Sequence, residues 1–188
     1  MYTLDLFANP KVLKRLLLSQ FIVALVFIVL SYKWSMAITG LDEKNIIANL
    51  IVGAIGLCVL IAFHELLRYV LFRRLYKETR PKYKVISGMI MSYLPNVKMN
   101  RISFMIVMLL PMIVINMLLL ILFINVPNTY VIFVFSFHMG YSCLAIYLVI
   151  LALSNKQIQT VELAEFGLIL YVNEAKPNTQ VDTKESNV

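Results

Sequence analysis

The sequence predicts an all-α integral membrane protein of about four transmembrane helices. Three observations carry that prediction. Hydrophobic side chains make up 61% of the 188 residues and charged ones only 14%, against about half and about a quarter in a soluble domain. Four separate stretches reach the roughly 18 apolar residues that a membrane helix needs. The basic residues alternate between consecutive connecting segments, as a chain threaded back and forth across a bilayer requires.

The first span runs over residues 16–38, following an arm that carries Lys11, Lys14 and Arg15. That arm does not resemble a cleaved signal peptide, because the apolar run is too long and no small-residue cleavage site follows it. The second span covers residues 46–72. It stays apolar to Phe63 and then carries His64, Glu65 and Arg68. The third covers 102–124 and contains Pro111 and Asn116, and the fourth covers 130–153 and contains His138. Pro111 is expected to kink its helix, and Asn116 to hydrogen-bond across helices. Residues 1–172 read as a single polytopic domain, and residues 173–188 as a disordered cytoplasmic tail.

The loop between spans two and three holds Arg73, Arg74, Lys77, Arg80, Lys82, Lys84, Lys98 and Arg101, whereas the NVPNT loop (125–129) holds no basic residue. The bias places both termini and the basic loop in the cytoplasm. Within that loop, residues 83–99 (YKVISGMIMSYLPNVKM) are rich in β-branched and aromatic side chains around Gly88 and Pro95. They suit a β-hairpin at the membrane surface, packed on the helices so that its backbone is satisfied.

The net charge of +7 is topological. The basic residues form neither one amphipathic face nor an array interleaved with stacking aromatics, so no nucleic-acid partner is expected. Cys58 and Cys143 both lie inside apolar spans and read as small hydrophobes, not as a disulfide framework. Glu162 and Glu165 follow the last span and read as solvated. His138 reads as a bundle-interior hydrogen-bonding group or a polar or metal partner of His64.

The stretch IAFHELLRYVLFRR (61–74) carries the chemistry. Residues i and i+4 of a helix share a face, so His64 and Arg68 do, with Glu65 one turn from Arg68. In an HExxH helix two histidines at that spacing grip Zn²⁺, and the intervening glutamate is the general base toward metal-bound water. Here the second histidine position holds Arg68, a permanent cation that cannot ligate metal. Ionisable residues inside a span are functional candidates by default. His64, Glu65 and Arg68 are also able to form a self-neutralising polar cluster.

The chain resembles the family of multi-span bacterial membrane proteins known as the putative zincin peptidases, distantly similar to site-2-type proteases. The resemblance rests on HELLRYVLF, on ISGMIMSYLPNVKMNRISF, on MLLPMIVI around Pro111, on HMGYSCLAIY in span four and on the closing FGLILY. It implies zinc as cofactor, His64 as first ligand and Glu65 as general base. It places Arg68 at the second ligand, and Ala145 of SCLA where a late carboxylate is expected.

The expected metal ligands reduce to His64 and His138, with Glu65 the catalytic candidate. A catalytic zinc needs about three protein ligands and an open position. Three functions are open. The first is a non-catalytic pseudopeptidase that binds or regulates another membrane protein or a peptide, with no metal. The second is an active intramembrane zinc metallopeptidase with atypical ligands. The third is a small accessory or immunity subunit of a membrane exporter. In all three the chain resides in the bacterial cytoplasmic membrane and the bilayer is its first partner.

Overall fold

The structure, a computed structural model, describes residues 2–5, 9–39, 45–86, 89–165 and 167–172. The expected tail (173–188) and the hairpin tip (87–88) lie outside the described residues. A short strand, β1 (Tyr2–Asp5), precedes α1 (Pro10–Thr39) and α2 (Ile46–Leu75). Strands β2 (Lys82–Ile86), β3 (Met89–Tyr93) and β4 (Lys98–Asn100) follow, then α3 (Arg101–Asn125), α4 (Thr129–Leu153), β5 (Ile158–Ala164) and β6 (Gly167–Val172). All four helices are long and apolar enough to cross a membrane, and the chain is a membrane protein.

Asparagine starts each span. Asn45, Asn100 and Asn128 present side-chain oxygens to the amides of Ala48 (3.1 Å), Ser103 (2.7 Å) and Tyr130 (2.9 Å). Asn9 does the same for Lys11 at 3.0 Å, just ahead of Pro10. Each satisfies a backbone N–H that the helix leaves without an internal partner. Proline at the first helical position loses no bond there. Helix α3 continues through Pro111 without a break. At the far end of α4, Arg101 donates to the carbonyls of Leu153 (3.2 Å) and Asn155 (3.3 Å), closing a terminus that favours a cation.

Helix α4 is the central helix. It packs on α1 through Gly140, where an added Cβ would stand 2.6 Å from the Gln20 carbonyl oxygen. It packs on α2 through Gly53, where a Cβ would meet that of Phe133 at 2.8 Å. Small residues at such crossings let backbones approach closely. Helices α2 and α4 run parallel: Asn49 lies against Thr129, Gly53 against Phe133 and His64 against His138. This alignment brings two motifs 74 residues apart to one depth.

Strands β2 and β3 pair antiparallel, Lys82 with Tyr93 and Ile86 with Met89, so the expected hairpin forms in the first part of 83–99. The remainder of that segment enters β4. A second sheet, in the order β1-β6-β5-β4, is entirely antiparallel and was not legible in the sequence. Its inward residues Val161, Leu163 and Leu168 join Met99, Phe104, Leu148 and Ala152 in the main core. Glu162 departs from its expected solvated state. It is buried and accepts hydrogen bonds from the Tyr171 hydroxyl (2.7 Å) and the Asn96 amide (3.0 Å). The second bond fixes a turn in which Asn96 has φ 61°, a left-handed conformation that asparagine tolerates.

Candidate functional site

Along α2 the buried residues are Asn49, Gly53, His64, Glu65, Arg68 and Phe72. Residues 64, 68 and 72 are spaced by one turn and point into the bundle, while Leu66, Val59 and Ile55 on other faces stay exposed. Apolar residues cover the outside of a membrane helix because lipid accepts them. The polar residues must therefore face inward, where partners exist.

The partners form one chain of contacts. Arg68 Nη1 donates to Glu65 Oε1 at 2.9 Å and to Ser92 Oγ of β3 at 3.4 Å. Arg68 Nη2 stands 3.0 Å from His64 Nε2. The other ring nitrogen of His64, Nδ1, lies 3.5 Å from His138 Nε2 on α4. His138 Nδ1 meets Asn116 Oδ1 of α3 at 2.8 Å, and Asn116 Nδ2 reaches Ser142 Oγ at 3.4 Å. Since an arginine can only donate, its contact with His64 makes Nε2 an acceptor and places the ring proton on Nδ1. That proton then points at His138 Nε2, leaving His138 Nδ1–H to donate to Asn116. One tautomer assignment satisfies the whole chain.

Tyr141 covers the histidines. Its ring meets that of His64 edge-on, with centroids 5.5 Å apart, and its hydroxyl donates to the Ile90 carbonyl at 3.4 Å. The hairpin thus covers one end of the site through Ser92 and Ile90. Tyr83 on β2 senses the cluster. Burial first, and then the charge of Glu65, raise its phenol above the ordinary value. Two buried polar atoms of the site have no hydrogen bond among the described residues, Glu65 Oε2 and Arg68 Nε.

The structure therefore brings together His64, Glu65, Arg68 and His138. Sequence reading missed Ser92, Tyr141 and Ser142. The last two sit three and four residues after His138, on its helical face, and that spacing was the available signal. Ser92 comes from the hairpin and carried none. Ala145 is seven residues from His138, about 10 Å along the axis, and is packed in the main core with Phe72. Tyr141, not Ala145, is the α4 side chain set over the motif.

A family profile described as "Putative zincin peptidase" matches residues 57–160. This is more than half of the chain. The protein belongs to that family. The matched region contains the motif-bearing part of α2, the hairpin, α3 and α4, so the whole polar chain lies within it. No curated protein and no solved structure matches the chain.

The family's name implies zinc, and the donor set decides whether these residues fit it. Among the described residues no three His, Cys, Asp or Glu side chains converge as a metal-holding group. His64 Nε2 faces a guanidinium at 3.0 Å, and Glu65 Oε1 is held by the same guanidinium. A second positive charge at that point would meet the first at contact distance in a site of low polarity. The residues present do not fit a three-ligand zinc centre.

Proposed function

We propose that this chain is a non-catalytic member of its family, a pseudopeptidase that binds or regulates another membrane protein or a peptide. One observation carries the reading: the Arg68 guanidinium spans from Glu65 to His64. It neutralises the carboxylate that would serve as general base and covers the nitrogen that would serve as first ligand. The cation of this site is part of the chain, and Lewis-acid chemistry needs a cation that can accept a water oxygen. The retained polar chain then fixes the packing of α2, α3, α4 and the hairpin into one surface. The basic-loop bias supports cytoplasmic termini in a bacterial inner membrane.

A second reading, an active metallopeptidase with atypical ligands, is favoured by one distance. Two imidazole nitrogens that share one tetrahedral Zn²⁺ stand about 3.3–3.4 Å apart. His64 Nδ1 and His138 Nε2 are 3.5 Å apart. Competition with a chromophoric zinc chelator separates the two. The pseudopeptidase reading expects no zinc taken from a chelator of about micromolar affinity. Zinc taken up by the wild type and released in both His64→Ala and His138→Ala supports the peptidase reading.

A further inference from the structure

Two cavities meet on the outer face of α2. The first, about 490 Å³, lies at the end of the helix and is lined by Tyr69, Val70, Arg73, Arg74 and Lys77. The second, about 100 Å³, is an apolar groove between α2 and α3, where Leu71 faces Leu110 and Val114. Val70 lines both. The basic end and the apolar groove therefore adjoin at Val70.

The three cations are exposed. Arg73 uses one nitrogen on the Lys77 carbonyl, at 3.0 Å. Arg74 and Lys77 enter no ion pair among the described residues, with the adjacent acid Glu78 or any other. Tyr69 lines the basic cavity beside the cations, near the end of the span, where an amphipathic ring marks a membrane–water boundary. Above it, α2 presents Leu66, Phe63 and Val59 outward. A phosphate requires the cations, and a hydrocarbon chain requires the groove. One ligand class carries both at this spacing.

We propose that this surface is a binding site for an anionic phospholipid, with its phosphate among Arg73, Arg74 and Lys77 and one acyl chain along the α2–α3 groove. The site lies on the opposite side of α2 from His64 and Arg68 and is independent of whether the family site holds metal. Free phosphate would satisfy the cations and leave the groove uncovered, so the adjacency of the two at Val70 selects the lipid.

The test is native mass spectrometry of the full chain in detergent, titrated with phosphatidylglycerol or phosphatidylcholine. The wild type is expected to favour phosphatidylglycerol by about tenfold or more, the scale of two cations near a headgroup. The variant R74Q/K77Q should lose that preference, and the charge-matched K11Q/K14Q on the α1 arm should keep it. V70W, which fills the junction with the charges intact, should lower phosphatidylglycerol occupancy. Millimolar inorganic phosphate should not displace the lipid. Equal losses in the two double variants would reduce the effect to bulk attraction and overturn the site. So would full occupancy in V70W, or displacement by phosphate. Should R74Q/K77Q lose helicity, V70W alone decides the question.

Discussion

Arg68 Nη2 stands 3.0 Å from His64 Nε2 and one turn along the same helix, the separation at which a zincin helix would set two imidazoles on one ion. The guanidinium faces the first ligand instead of joining it. Its Nη1 turns to Glu65 at 2.9 Å. The positive charge of the site is thereby supplied covalently by α2.

Removal of one partner should cost more than removal of both. In Arg68→Ala the Glu65 carboxylate is left buried without its cation, a loss of about 3–5 kcal/mol by analogy with buried pairs elsewhere. The double variant E65Q/R68M removes the charge from both and should recover a large part of that. Thermal unfolding in detergent measures both. A double variant that melts as low as Arg68→Ala would contradict the assigned pairing.

The geometry also says where a metal site would have to be rebuilt. Tyr141 lies over His64, whereas Ala145 lies in the apolar core. Arg68→His combined with Tyr141→Asp should therefore gain zinc, and Arg68→His combined with Ala145→Asp should not. Equilibrium dialysis against zinc reads the stoichiometry directly. The opposite ranking would place the late carboxylate one turn further along α4 than the structure does.

Gly140 lies at a close crossing of α1 and α4. A methyl group there would stand 2.6 Å from the Gln20 carbonyl oxygen, and a backbone atom cannot move aside as a side chain can. Gly140→Ala should destabilise by about 1–3 kcal/mol. Unfolding by denaturing detergent measures the loss. Wild-type stability in this variant would contradict the close crossing.

The hairpin is tied to the large sheet by the exposed ion pair of Lys84 with Glu165. The Lys84 hydrogen bond, and then its charge, hold the Glu165 carboxyl below its ordinary value. A depressed folded value gives a link that is intact above the ordinary carboxylate range and lost as pH falls through the folded value. Corrected for intrinsic rates, amides of β2 and β3 should exchange faster at about pH 3 than at neutrality. Lys84→Gln should remove the difference. The same pH dependence in that variant would assign it to another group.

Legibility in the sequence followed the strength of the physical signal. The four spans were readable because lipid demands long apolar runs, and the observed helices extend those readings by at most a few residues, except at α1, which begins at Pro10. The β2–β3 hairpin was readable from its β-branched and aromatic composition. The sheet joining β1, β6, β5 and β4 was not, because β1 and β4 are far in sequence from the β5–β6 pair they join and β4 has three residues. Pairing over such distances leaves no local pattern. Glu162 looked solvated for the same reason: its partners, Asn96 and Tyr171, come from separate strands and turns. In the site, the i+3 and i+4 relation of His64, Glu65 and Arg68 was written in the helix. The contact between His64 and His138 was not, since it depends on the parallel alignment of α2 and α4.

The metal-to-protein ratio of chain purified from native membranes, without added metal or chelator, tests the central claim most directly. With Arg68 supplying the site's positive charge, zinc should be far below one per chain and unchanged in His64→Ala. A ratio near one that falls away in His64→Ala would contradict the account.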